Sequence, residues 1–187
     1  LALYKAKSEG RSTYHFFEAG MDAELQQRRV IEAGLRMALG RDEFRLVFQP
    51  LLGLRENRVT CVEALLRWDF EGRTVSPTEF IPVAEETGLI AAIGQWVLNE
   101  ACAAAATWPG HVRVAVNLSP VQFRQRDLVA QVRRALTGAK LDPARLELEI
   151  TESLLRGDSE STLKALHELR AMGVRICMDD FGTGYSS

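Results

Sequence analysis

The 187-residue chain sets 23 Lys and Arg against 25 Asp and Glu, a formal charge of −2, with 47% apolar and 26% charged residues. This is the composition of an ordinary soluble globular protein, and it excludes the basic face that bulk binding to DNA or RNA requires. No run of about 18 apolar residues is present to span a membrane, and the first ten residues lack the zones of a signal peptide.

In chain order, Leu1 to roughly Glu9 reads as a helix, and Ser12–Phe17 as a short strand after Gly10-Arg11. Met21 to about Gly40 reads as a connecting helix whose apolar stripe roughly follows Leu25, Val30, Ile31, Leu35, Ala38 and Leu39. From residue 44 strands alternate with helices. Phe44–Leu52 and Val59–Trp68 read as strands. Ser76-Pro77-Thr78-Glu79 starts a helix that ends near Gly88, with an N-cap, a proline at N1 and a glutamate at N3. A helix from Leu89 to about Trp108 buries Ile90, Ile93, Val97 and Ala101. Val112–Asn117 is a strand, Ser119-Pro120 opens one helix through Gly138, Leu146–Ile150 is a strand, Ser159–Met172 a helix and Val174–Asp179 a strand.

Repeated βα units with short connections predict a parallel sheet covered by helices, as an open doubly wound sheet or a barrel. No glycine-rich phosphate turn follows any strand, which weakens the open nucleotide-binding sheet. Cys61, Cys102 and Cys177 are odd in number, widely spaced and set in apolar runs, so all three are expected as reduced, buried thiols of a cytoplasmic protein. Trp68, Trp96 and Trp108 are expected as core or rim anchors, and His15, His111 and His167 share no site spacing.

The carboxylates carry the chemistry. Side chains alternate along a strand, so Cys61, Glu63, Leu65 and Arg67 share one face of Val59–Trp68, and Val62, Ala64, Leu66 and Trp68 the other. The apolar face suits packing under helices, which turns Glu63 and Arg67 inward. The same alternation aims Asn117, Glu147, Glu149 and Asp179 inward, with Asp180 opening the next loop. These residues gather at the C-terminal ends of parallel strands, where barrel active sites form. Oxygen-only ligands suit Mg²⁺ or Mn²⁺, and paired aspartates can bridge two such ions in phosphoester hydrolysis. Arg67 could hold a phosphate bidentately.

Each residue alone has a plainer reading. Glu63 could be an exposed or ion-paired strand residue, and Glu147 and Glu149 could face solvent. Asn117 could be a helix-entry residue, and Asp179-Asp180 could only end a strand. Their convergence on successive strand ends favours the joint functional reading.

Glu63-Ala64-Leu65-Leu66-Arg67-Trp68 resembles the signature of the EAL-domain family of cyclic di-GMP phosphodiesterases. The likeness continues in family order through Gln49-Pro50, Phe80-Ile81-Pro82-Val83-Ala84-Glu85, Asn117-Leu118-Ser119, Glu149-Ile150-Thr151-Glu152 and the run from Asp179 to Ser187, from about residue 40 to the last. The resemblance implies a TIM-type (β/α) barrel that linearises cyclic di-GMP to pGpG. It implies metal ligation by Glu63, Asn117, Glu149 and Asp179, with Glu149 rather than Glu147 as the ligand. Asp180 would ligate a second metal and help activate water, and Glu152 would brace the Asp180–Ser187 loop, which couples to dimer contacts in the family. Gln49 and Arg67 would touch substrate. A homodimer through this domain is expected, with no nucleic-acid or membrane contact from this segment.

Ala2-Leu3-Tyr4-Lys5-Ala6-Lys7, Gly10-Arg11 and Phe16 or Phe17 resemble the end of a GGDEF (diguanylate cyclase) domain. The expected organisation is a GGDEF tail over 1–17, a linker helix over 18–40 and the EAL domain over 41–187. The parent protein could be a cytoplasmic hybrid or the cytoplasmic part of a membrane-anchored sensor. A complete barrel of this kind needs about 250 residues, and the family's later lysine and glutamate do not appear. The chain alone is therefore expected to be inactive. Competing expectations for the parent are a non-catalytic cyclic di-GMP receptor and a purely structural or dimerising module.

Overall fold

Strand alternation organises the molecule, seen here in a computed structural model that describes residues 20–124, 127–151, 154 and 160–179 (backbone only at 21, 24 and 179). Among the described residues six strands form one sheet: β1 (Phe44–Gly53), β2 (Arg58–Phe70), β3 (Arg73–Val75), β4 (Arg113–Asn117), β5 (Leu146–Thr151) and β6 (Arg175–Asp179). Their order is β1-β2-β4-β5-β6, with β3 paired to β2 off the main path. β2, β4, β5 and β6 run parallel.

The helices are α1 (Gly20–Ala38), α2 (Pro77–Thr87), α3 (Ile90–Ala106), α4 (Pro120–Phe123), α5 (Leu128–Ala139) and α6 (Glu160–Ala171). No single helix among the described residues is long and apolar enough to cross a membrane.

The expected parallel sheet is present, but it does not begin as one. β1 pairs antiparallel with β2. β3, which sequence periodicity did not signal, folds back on β2 through Glu71 and Gly72, both at positive φ (50° and 80°). Two such residues make the tight turn whose twist matches a hairpin, and a Gly at the second place relieves the strain.

Side chains on the outward face of the parallel strands are those the alternation assigned there. Trp68, Val114, Leu146 and Leu148 have no exposed surface, and Ala64, Val116 and Ile150 are nearly as deep. Each Val or Leu so buried contributes roughly 1.5–3 kcal/mol before entropy is counted. Trp68 is the hub at one end. It stacks on Phe70 at 4.8 Å between centroids and meets Phe80 edge-on at 5.6 Å. Its indole N–H donates to Glu43 Oε2 at 3.0 Å, so the polar edge of the ring is satisfied.

Several expectations are corrected. The residue 119–138 helix is two helices, α4 and α5. Phe123 and Leu128 are both buried, yet five residues along one helix would place them about 140° apart; the break lets both face the core. Ser76 caps α2 by backbone position only. Its hydroxyl pairs with Thr78 Oγ1 at 2.8 Å, while Glu79 turns to Gln27 and Arg73. In α1 the buried stripe is Ile31, Leu35 and Ala38, whereas Val30 is half exposed. Cys61 and Cys102 are buried as expected, but Cys177 is exposed. It lies on the inward face of β6, which no described strand flanks on its far side.

α1 docks where Gly34 meets the aromatic hub. A Cβ at Gly34 would lie 2.8 Å from Phe70 Cε2 and 2.9 Å from Trp68 Cζ2, both in buried rings. Helix propensity favours Gly34→Ala by up to about 1 kcal/mol, but overpacking against rings that cannot swing away should cost about 1–3 kcal/mol. We expect a lower urea midpoint for Gly34→Ala. An unchanged or higher midpoint would show that α1 is not held at this contact.

Candidate metal-centred active site

The inward face is polar because strand register puts it there. Gln49 opposes Glu63 across β1 and β2, Glu63 is level with Ala115 on β4, and Ala115 with Glu147 on β5. One pleat towards the C-terminal rim, Asn117 is level with Glu149, and Glu149 with Cys177 on β6. Neighbouring strands lie about 4.8 Å apart. Glu63 and Glu147 therefore stand roughly 10 Å apart along their row, with the small, fully buried Ala115 between them.

These two carboxylates have different surroundings. Asn117 Nδ2 donates to Glu63 Oε1 at 2.8 Å, a diagonal bond between β4 and β2. Glu147, 9% exposed, is taken by Arg113 Nε at 3.1 Å and by the Cys177 thiol at 3.0 Å. A part-buried carboxylate so compensated is a structural ion pair. Glu149, half-buried, sits beside Asn117 on the adjacent strand.

The expected residues divide accordingly. Asn117 ends β4 with Glu149 level beside it near the end of β5, whereas Glu63 stands in the middle of β2 rather than at a strand end, one pleat below, and meets Asn117 through its side chain. Gln49 stands exposed across from Glu63. Asp179 ends β6 level with Thr151 and so has the backbone position expected of it. Asp180 and Glu152 lie outside the described residues. Arg67 is on the correct face and half-buried, but its Nη1 donates to the Leu66 carbonyl at 2.8 Å. Its phosphate-holding geometry is not formed in this arrangement.

The donors present fit a hard divalent cation: two carboxylates and an amide carbonyl, with no imidazole among them. No three His, Cys, Asp or Glu side chains gather as ligands among the described residues. Here the described share of the expected set is two carboxylates and one asparagine.

Sequence reasoning missed the loop that carries Asn117. Ser119 and Gln122 form a capping box over α4, for which the S-x-x-Q spacing was a readable signal. Ser119 Oγ also donates to Glu85 Oε1 at 2.6 Å. That partner is 34 positions away, beyond any local pattern.

The family model described as "EAL domain" matches residues 32–187. The chain belongs to the EAL-domain family. Among curated relatives, the y4lL protein of Sinorhizobium fredii is 50% identical over 188 residues, covering 100% of this chain and 23% of that protein. The "bifunctional diguanylate cyclase/cyclic di-GMP phosphodiesterase MucR" of Pseudomonas aeruginosa is 46% identical, covering 100% of this chain and 28% of that one. The chain thus spans about a quarter of the length of these relatives. A solved structure described as "PaMucR Phosphodiesterase, c-di-GMP complex" superposes with TM-score 0.79 at 44% identity, over 84% of this chain and 66% of that one. The sheet and its helices are accordingly those of the TIM-like EAL barrel.

Within this EAL domain, Cys177 beside the site is chemically quiet. Although the residue as a whole is exposed, partial desolvation of its sulfur first, then the hydrogen bond and charge of Glu147 and the charge of Glu149, push its thiol up to about 11. A raised thiol pKa keeps the protonated form, and only the thiolate is nucleophilic. Cys177 should therefore alkylate with iodoacetamide at pH 8.5 at least about tenfold more slowly than an unperturbed thiol. Glu147→Gln should quicken it, as read by peptide mass spectrometry. Alkylation at the rate of a free thiol would refute the Glu147 contact.

Proposed function

We propose that the protein hydrolyses cyclic di-GMP to linear pGpG with Mg²⁺ or Mn²⁺, held by Glu63, Asn117, Glu149, Asp179 and Asp180. The observation that carries this reading is the Glu63–Asn117 hydrogen bond at 2.8 Å beside the in-register Glu149. It joins Glu63, one pleat below the rim on β2, to Asn117 at the end of β4, where Glu149 stands beside it. Family membership and the cyclic di-GMP complex of the MucR relative support the choice of substrate.

Cations bound there would polarise the phosphoester and lower the pKa of an attacking water. The chain's own residues have distinct tasks. Glu63 brings negative charge just below the rim, and its bond to Asn117 sets the orientation of that amide. Gln49, across from Glu63 on the antiparallel strand, would hydrogen-bond substrate. Arg67, on the same face and two pleats further, would leave the Leu66 carbonyl to engage a phosphate bidentately. Asp180 would help activate the water and Glu152 would brace the loop that follows. Glu147 takes no part, because Arg113 and Cys177 occupy both its oxygens.

Residues 1–17 are proposed to be the tail of a GGDEF domain, supported by the whole-chain match to a relative named as both cyclase and phosphodiesterase. A homodimer through the EAL domain is part of the same proposal.

The test uses the full-length protein with cyclic di-GMP and Mg²⁺. Turnover to pGpG, followed by chromatography, should fall at least about 10³-fold in Glu63→Ala, as expected when a group acting directly on the transition state is removed. Retained activity would refute the assigned site. Tight binding without turnover in the unsubstituted protein would make it a receptor instead.

A further inference from the structure

The segment leaving β4 is tied down more heavily than a strand-to-helix turn requires. Leu118 N–H donates to the Glu149 carbonyl at 2.9 Å, directly beside Asn117. Ser119 N–H donates to Gln122 Oε1 at 3.0 Å, and Ser119 Oγ accepts from Val121 N–H at 3.1 Å. Ser119 Oγ in turn donates to Glu85 Oε1 at 2.6 Å, the length of a charge-assisted bond. Gln122 is 3% exposed and lies hard against α3. A Cβ at Gly94 would stand 2.1 Å from its Nε2, so only glycine leaves that seat open.

Glu85 differs from its neighbours on α2. Glu79 pairs with Arg73, and Glu86 with Arg28, as solvent-facing residues usually do. Glu85 is half-buried, and among the described residues it makes no ion pair. It accepts instead from the Ser119 hydroxyl, two residues beyond Asn117. Asn117 is itself exposed, and its side chain is held by Glu63. An exposed amide at a strand end keeps one orientation only if the backbone behind it is fixed.

We propose that Glu85 is a positioning residue: through the Ser119 hydroxyl it locks the turn that presents Asn117 to the divalent cation. This rests on the metal-site reading above. Groups that hydrogen-bond a metal ligand typically contribute about 10–100-fold to metal affinity; Glu85 acts one step further back, through Ser119 and the turn, so its effect belongs at the lower end of that range.

The probe is Mn²⁺ alone, titrated into the full-length protein without substrate and followed by the EPR signal of free Mn²⁺, with Tm recorded for every variant. Glu85→Ala and Ser119→Ala should each weaken Mn²⁺ binding about tenfold. Their double variant should be no worse than Ser119→Ala, because that variant already lacks the bond to Glu85. Glu85→Gln should restore affinity to within about twofold, since its amide oxygen accepts the same hydrogen bond. A tie serving only stability would lower Tm and leave Mn²⁺ affinity alone; that result in Glu85→Ala or Ser119→Ala overturns the proposal, as does a Glu85→Gln no better than Glu85→Ala. If Glu85→Ala fails to fold, Ser119→Ala and Glu85→Gln decide by the same criteria. Glu63→Ala separates the two claims. If it binds Mn²⁺ as tightly as the unsubstituted protein, the metal-site reading falls and this inference with it. If it loses binding while Glu85→Ala keeps it, only the positioning role is lost.

Discussion

The parallel register of β2, β4 and β5 is the constraint on which everything else rests. Because side chains alternate, pairing Glu63 with Ala115 and Asn117 with Glu149 sends the polar residues to one face. The same pairing sends Val114, Val116, Leu146 and Leu148 to the other, beneath the helices. A slip of one residue on β2 or β5 would put carboxylates into the apolar layer and expose that strand's valines or leucines. Burying the core and assembling the site are thus one event, enforced by hydrophobic free energy rather than by any attraction among the acidic residues.

Within the polar face, the fate of each carboxylate is decided by its nearest neighbours. Glu63 and Glu147 share a row and a chemistry, but Arg113 reaches only the second. The result is a closed, compensated group on β5 and, at the same level on β2, a carboxylate that reaches up to Asn117 at the rim. Ala115 between them contributes by being small. It keeps the two carboxylates apart, so the ion pair does not draw Glu63 away from Asn117.

A second element stiffens the rim from outside the sheet. α2 and α3 pack beneath the apolar face, yet each sends one contact to the turn after Asn117: Glu85 to Ser119, and the bare backbone at Gly94 to Gln122. The helices that cover the core therefore also fix the loop that carries a candidate ligand. Rigid support of this kind is what a metal site needs, since ligand oxygens must be held to within a few tenths of an ångström.

Much of this was written in local pattern. Alternation along Val59–Trp68 and Leu146–Ile150 sufficed to orient Glu63, Glu147, Glu149 and the layer of Val, Leu and Trp opposite them, since a period of two is a property of the strand alone. The motif series added the family and preferred Glu149 to Glu147. Pairing direction was not legible, because an edge strand such as β1 has the same alternation whether it runs parallel or antiparallel. The exposure of Cys177 was not legible either, since an apolar run records what a strand is made of and not whether another strand covers it. The break between α4 and α5 followed from where the core accepts Phe123 and Leu128. The bonds joining Asn117 to Glu63, Arg113 to Glu147 and Ser119 to Glu85 span 54, 34 and 34 positions. The sequence by itself determined which faces are polar, because that depends only on neighbouring residues. Tertiary structure alone decided which polar group meets which, because those distances are set by how strands and helices stack.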